Sequence, residues 1–569
     1  MRIPQLLVIL LCFGLAFSCK DTSKPEGKIE NNATLYFGGD ILTMVGDRPD
    51  YAEALVVQDG KIAFVGDLVE AESLAGNGHI KINLQGQTLL PGLIDGHAHF
   101  GSFSAQAIGA QILPPPDAGA SNIPKLIDIL KAWNTPENRA LTGWIFGMGF
   151  DDSVLEEQRF PTKFDLDQVS TEHPIMIIHI SGHFAVVNSK GLELLNITAE
   201  TKDPEGGIIR RTENQEPNGV LEELAAIPHY AKALTPISEA AANQFFEAGQ
   251  DMALSYGYTT AQDGRAMDQT LFVNAAENKT LKLDVVSYID YTFVDSLMAT
   301  PWNRKTYTNH YRIGGMKITL DGSPQGRTAW RTEPYLLKPE GAQPGYKGYP
   351  AIPDDQKVIE LFKKGYQNNW QVLAHANGDA AIDQFIKATR AAANAYGMTD
   401  RRTTLIHGQY IREDQLDSLK TLDVIASLFP LHTFYWGDWH KQIIGDELGN
   451  KISPVRTALN KGVKVTIHTD APVALPNLMR MVGISVERKS RSGVVIGANE
   501  KLTPYEALQG ITIWSAYQHF EEDTKGTLEA GKLADLVIMD KNPLKVPESE
   551  IKTIQVMETI KEGTTVFKR

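Results

Sequence analysis

Pro91-Gly92-Leu93-Ile94-Asp95-Gly96-His97-Ala98-His99 is the stretch on which the reading of this chain turns. A short apolar run ends in two histidines spaced two apart. In a strand, residues i and i+2 share a face. The spacing therefore predicts two imidazoles converging on one point, where a divalent ion fits.

Working outward, eight candidate strands follow in the pattern Leu93–His99, Tyr258–Asp263, Leu283–Ile289, Gly315–Leu320, Gln371–His375, Thr403–His407, Val424–Phe429 and Val463–His468, mostly separated by helical periodicity. Alternating strand and helix implies a parallel sheet, and eight such units imply an α/β fold of the (β/α)8, TIM-like kind, with its chemistry at the C-terminal strand ends. The long gap between the first two strands contains Ile175-Met176-Ile177-Ile178-His179-Ile180, itself a strand. Residues 101–240 therefore read as a large insertion covering the mouth of a barrel that occupies 92–518.

Polar residues fall at those strand ends. Strand one carries His97 and His99, strand four Lys317, strand five His375, strand six His407 and strand eight Asp470. Imidazole and oxygen donors suit zinc and similar ions, which lower the pKa of bound water and polarise a carbonyl. A carboxylate beside them can shuttle the proton, and Asp470 is the candidate. Lys317, buried near metal, can lose its proton and add CO2 as a carbamate able to bridge two ions. Singly, each residue has an ordinary structural explanation; the ordered set carries the reading.

With these residues in place, the chain resembles the amidohydrolase superfamily, and within it the YtcJ-like, amidohydrolase-3 group, from about residue 33 onward. Asn188-Ser189, Gly206-Gly207-Ile208-Ile209, Asp321-Gly322-Ser323, Arg327-Thr328-Ala329 and Gly526-Thr527-Leu528-Glu529 match this group as well. The resemblance implies His97, His99, His375 and His407 as metal ligands, Lys317 as a carboxylated ligand, and Asp470 as the catalytic acid/base. Two positions depart from the group: Ile406 stands where a Glu is usual, and His468-Thr469-Asp470 replaces Gly-Ser-Asp. His468 is thereby a candidate for substrate contact or for packing under the site. His183, Arg327 and Trp330 are further candidates for substrate contact, and Phe150-Asp151-Asp152, His432, Trp436 and His440 are candidates for the rim.

The two ends of the chain read differently from the middle. Arg2 and the apolar run Leu6 to Phe17 form an export segment, 1–18, too short to span a bilayer comfortably. Leu15-Ala16-Phe17-Ser18-Cys19 resembles a loose bacterial lipobox, which implies lipidation at Cys19, a polar tether over 19–33, and a periplasm-facing or outer-membrane-anchored lipoprotein. Short strands over 34–91, with the Asp59-Gly60 hairpin signal, and over 519–569 predict one small β-sandwich built from both termini. The only cysteines are Cys12 and Cys19, so the mature body has no disulfide and no thiol nucleophile.

Hydrophobic residues at 42% and charged residues at 22% describe a globular chain of 569 residues. A formal net charge of −14 excludes a sequence-independent nucleic-acid binder. No Gly-x-Ser-x-Gly elbow supports a serine hydrolase. The expectation is a metal-dependent hydrolase of a non-peptide C–N bond, an amide, N-acyl or N-formyl compound, using one or two divalent ions, most simply zinc. It takes a small-molecule substrate, meets the membrane only through a lipid anchor, and leaves oligomerisation open. The alternatives are a deaminase of aminated heterocycles and a tethered binding lipoprotein without catalysis.

Overall fold

The computed structural model describes residues 33–204, 206–339 and 341–569. The export segment, Cys19 and the tether as far as residue 32 lie outside the described residues.

Eight parallel strands form one sheet in chain order. Strand one is Leu93–Ile94, two Tyr258–Ala266, three Asp284–Asp290, four Tyr311–Thr319, five Gln371–Ala376, six Thr404–His407, seven Ile425–Leu428 and eight Val465–Ile467. Every residue of strand three, Asp-Val-Val-Ser-Tyr-Ile-Asp, is buried, as expected of a strand covered on both faces. Helices supply the cover. Asp355–Gln367, capped by the Asp354 side chain, buries Val358, Phe362, Gly365 and Tyr366 on one stripe and packs beside Asp379–Tyr396. This is a TIM-like α/β fold. Its first and last strands are drawn together by Asp470 N donating to His97 O at 3.0 Å and His99 N donating to Ala471 O at 2.8 Å. Gly96 permits the approach, since a Cβ there would stand 2.9 Å from Thr466 Oγ1.

Strand one is shorter than its sequence implies: the ladder ends at Ile94, not at His99. Asp95 is the reason. Its buried carboxylate accepts from His97 N at 3.2 Å, Thr469 N at 3.1 Å, Tyr258 Oη at 2.7 Å and the Thr469 hydroxyl. These bonds take the backbone out of the pleat and fasten it to the end of strand eight. Burial pushes the Asp95 carboxyl up to about 6, against the hydrogen bonds that hold it down.

The terminal segments come together beside the parallel sheet. Thr34–Leu42, Tyr51–Gln58, Lys61–Gly66, Ile80–Asn83 and Thr88–Pro91 join Leu536–Met539, Val556–Lys561 and Thr564–Lys568 in one continuous eight-stranded sheet. Thr88–Pro91 pairs in parallel with Thr34–Leu42 on one side and antiparallel with Leu536–Met539 on the other, so both ends of the chain enter the same layer. Helix Leu68–Ala75 covers one face over Leu35, Ala54 and Val56; Tyr36, Leu55, Leu89 and Leu536 line the other.

Between strands one and two lies a six-stranded sheet, ordered Gly207–Arg211, Pro217–Glu223, Phe184–Val187, Ile175–His179, Ile145–Phe150 and Ala110–Gln111. It has apolar clusters of its own, around Phe146 and around Ile177. Its loops reach the C-terminal rim of the parallel sheet, where Trp436 Nε1 donates to Asp151 at 2.9 Å and Tyr435 Oη donates to Asp117 at 2.6 Å.

Candidate metal centre and active site

Two predicted ligands and the predicted acid/base meet at the junction of strands one and eight. Asp470 Oδ1 lies 3.3 Å from His99 Nε2 and 3.6 Å from His97 Nε2. The ligand atoms of these three residues all fall within 4.8 Å of one another. Lys317 Nζ, from strand four, is 2.9 Å from His97 Nε2. The convergence of His97 and His99 does not come from a strand face, as the spacing implied, but from the Asp95 fastening and from strand two. There, Gly264 N donates to Ala98 O at 2.8 Å.

The hydrogen-bond network assigns the His97 tautomer. Gln262 Nε2 donates to Gly96 O at 2.9 Å, which turns its Oε1 toward His97 Nδ1. The Nδ1 proton is thereby fixed and Nε2 presents a lone pair to the cluster. Burial, with Lys317 and His99 close by, drives the His97 pKa well below the ordinary range, so the ring is neutral. Burial, with the charge of Arg265 adding to it, lowers Lys317 to about 7 against the pull of Asp470. For Asp470 itself, burial works to raise the pKa, but His99, His468 and Lys317 hold it below the carboxylate range. Asp470 Oδ1 is buried and has no hydrogen-bond partner. A buried, ionised oxygen facing two imidazoles and an amine is costly unless a cation completes the set, so these donors fit a divalent ion.

His375 and His407 stand beside this cluster: His375 Nδ1 and His407 Nε2 face each other at 3.1 Å, and the His407 ring lies 5.5 Å from that of His97. His375 Nε2 is met by Asn377 Nδ2 at 3.0 Å, and His407 Nδ1 by His468 Nε2 at 3.1 Å, with Asp470 Oδ2 at 3.8 Å. Strand register sets Ile406 beside His375, in a buried cluster with Val286, Tyr288 and Leu373. His407 comes next and returns toward Asp470 only through a left-handed backbone, φ 76°.

His468 stacks on Phe429 at 5.1 Å and is held by Ser427 Oγ at 2.9 Å, so its ring orients His407. Burial brings its pKa down to about 3. His183 extends from the insertion to a ring distance of 6.2 Å from His375, and its Nδ1 meets Glu223 at 2.7 Å. Burial opposes its charged form, but Glu223 raises the pKa on balance. Arg327 lies over Trp439 and donates to Lys338 O at 3.2 Å. Trp330 packs on the main core, with its backbone N bonded to Asp321 at 3.0 Å. Both take part in packing between loop and sheet. At the rim, His432 Nδ1 meets His440 Nε2 at 3.0 Å, and Tyr410 Oη meets His440 Nδ1 at 2.8 Å.

Sequence reasoning missed Asp95, Gln262 and the pair Arg265–Asp290. Asp95 stood inside the quoted motif; Gln262 and Arg265 lie in the predicted second strand or just beyond it, in Ala261-Gln262-Asp263-Gly264-Arg265, a polar run that an apolar-strand search discounts. Gly264 has a direct role there: a Cβ would stand 2.1 Å from His97 Cε1 and 2.6 Å from Nδ1. Gly264→Ala is expected to displace the His97 ring and lower bound metal, measured as ions per chain, although no donor is removed. An unchanged ion content would show that the ring has room to move.

Metal-dependent hydrolases arrange imidazole and carboxylate donors in this way at the C-terminal mouth of a TIM-like fold. More particularly, the chain belongs to the amidohydrolase family, whose profile matches residues 81–567. It is 25% identical over 549 residues to the putative amidohydrolase YtcJ of Bacillus subtilis, covering 94% of this chain and 99% of that one. It is 26% identical over 549 residues to the N-substituted formamide deformylase of Arthrobacter pascens, covering 92% and 96%. An uncharacterized metal-dependent hydrolase from Pyrococcus horikoshii has the same fold, with a TM-score of 0.72, 23% identity, and coverage of 91% of this chain and 99% of that one.

Proposed function

We propose that the protein hydrolyses a non-peptide C–N bond, an amide of the N-acyl or N-formyl kind, with Asp470 as the proton carrier. The observation that carries this reading is the orphaned, buried Asp470 Oδ1 set between His99 and His97. The kinship with a formamide deformylase supports the choice of bond. His97 and His99, with Lys317, His375 and His407 around them, would hold one or two divalent ions, zinc by the chemistry of the donors. When bound, such an ion supplies Lewis acidity to a water and to the scissile carbonyl.

The remaining steps belong to the chain. Asp470 is ionised at neutral pH, so it accepts a proton and returns it to the departing nitrogen. Lys317, with its pKa near 7, is in part a free amine at neutral pH and can coordinate directly or add CO2. Ser427 and His468 hold the His407 ring, and His183, hydrogen-bonded to Glu223, approaches from the insertion above. Export as a lipoprotein through Cys19 belongs to the same reading and rests on the first 33 residues of sequence.

Chelated protein is expected to lose turnover of N-formyl and N-acyl compounds and to regain it on addition of Zn²⁺. Ammonia released from aminated heterocycles, with amides untouched, would replace the reading with a deaminase; ligand binding without turnover in metal-replete protein would replace it with a binding lipoprotein. Lys317→Ala is expected to lower the ions bound per chain. An unchanged count would make Lys317 structural.

A further inference from the structure

Strand two ends in Asp263-Gly264-Arg265, directly against the metal centre. Asp263 bridges to His99, and Gly264 cradles the His97 ring. Arg265 comes next. Its Nε donates to Asp290 Oδ2 at 2.7 Å, and Asp290, at the end of strand three, is the register partner of Lys317. Asp290 Oδ1 is already taken by Thr292 N at 3.0 Å and Thr292 Oγ1 at 2.6 Å. The carboxylate is thus fully engaged and fixes the guanidinium by one corner.

The other edge of that guanidinium is free. Among the described residues, neither Nη of Arg265 has a hydrogen-bond partner, and the side chain is 32% exposed at the mouth. Its partner Asp290 is in register with Lys317, and its chain neighbour Gly264 lies against the His97 ring, so the guanidinium stands beside the metal centre. A guanidinium held through Nε presents its paired Nη groups as a fork, the geometry that binds a carboxylate end-on.

We propose that Arg265 binds a carboxylate carried by the substrate, so that the substrate class is an N-acyl or N-formyl amino acid, not a neutral N-alkyl amide. This rests on the hydrolase reading above and narrows it. Asp290 acts as a positioning residue for the fork.

The test compares an N-formyl or N-acetyl amino acid with its uncharged primary amide. Arg265→Gln is expected to lower the acid-to-amide ratio of kcat/KM roughly 10- to 100-fold, mainly through KM for the acid, with Arg265→Lys restoring part of it. An unchanged ratio, with both substrates losing equally, would overturn the proposal, as would a wild-type protein with no preference for the acid. Calorimetric binding of the same pair to metal-replete Asp470→Asn protein separates the two readings. If no amide in the panel turns over, the hydrolase reading fails. The fork then stands if the acid binds more tightly than the amide and Arg265→Gln abolishes that preference, and falls if the two bind alike.

Discussion

Asp470→Asn is expected to lower kcat roughly a hundred- to ten-thousandfold, the contribution typical of a positioned general acid/base. The structure explains why this substitution isolates the chemistry. Asn has the shape of Asp, and the backbone bond from residue 470 N to His97 O does not depend on the side chain. Residue 470 has φ 54°, a left-handed conformation that Asn adopts readily. The far-UV dichroism and melting temperature should therefore stay close to wild type while turnover collapses. Near-normal turnover in a folded, metal-replete variant would remove Asp470 as the proton carrier. His97→Ala would be a blunter test, because it also opens a hole beside Gly264 and Gln262.

The second large effect is on stability and lies at the opposite end of the sheet. Asp284, at the start of strand three, is buried and accepts from Lys525 at 2.5 Å, Lys561 at 2.8 Å and His310 at 2.7 Å. Lys525 also meets Glu521 at 2.9 Å, and Lys561 meets Asp535 at 2.9 Å. One carboxylate thus ties the floor of the parallel sheet to the terminal sheet. Asp284→Ala leaves two buried ammonium groups short of a partner and is expected to cost about 3–5 kcal/mol. The midpoint of the first urea unfolding transition should fall while ions per chain stay constant, because the metal centre lies at the other strand ends. An unmoved midpoint would mean that Glu521 and Asp535 suffice.

The same network sets a pH dependence. Burial works to raise the Asp284 pKa, but Lys525 and Lys561 hold it well below the ordinary carboxylate value; for Glu521 burial is likewise opposed, by Lys525 and Arg312, which leave it at about 2. Groups depressed in the folded state stabilise it fully above their unfolded values, near 4. That contribution is lost as pH falls from about 4 toward 2. The change of unfolding free energy with pH in that window should therefore be smaller in Asp284→Ala, although that variant is less stable throughout.

Much of the fold was legible because strands covered on both faces read as apolar runs, and residues 284–290 announce themselves. The centre was legible in part for the same reason: His97, His99, Lys317 and Asp470 each stand at or just beyond such a run. What local pattern does not carry is pairing across long separations. Nothing near Gln262 marks it as the residue that sets the His97 tautomer, and nothing near Asp290 marks Arg265 as its partner. Periodicity put His407 at the end of strand six, where it stands, but could not show the positive φ that turns it toward Asp470. The strand order at the termini turns on Thr88–Pro91 offering both its edges, a choice that its four residues do not encode.

That central position of Thr88–Pro91 has a consequence for folding. One of its edges stays open until Leu536–Met539, close to the other end of the sequence, pairs with it. Until then Leu89 and Leu90 sit in a strand with an open side, and the contact joins residues nearly the whole chain apart, the kind of pairing that slows folding. Such an edge invites strands from other chains. A product truncated before residue 536 is therefore expected to keep an open edge on Thr88–Pro91 and to self-associate, measured as the fraction pelleted against the full chain.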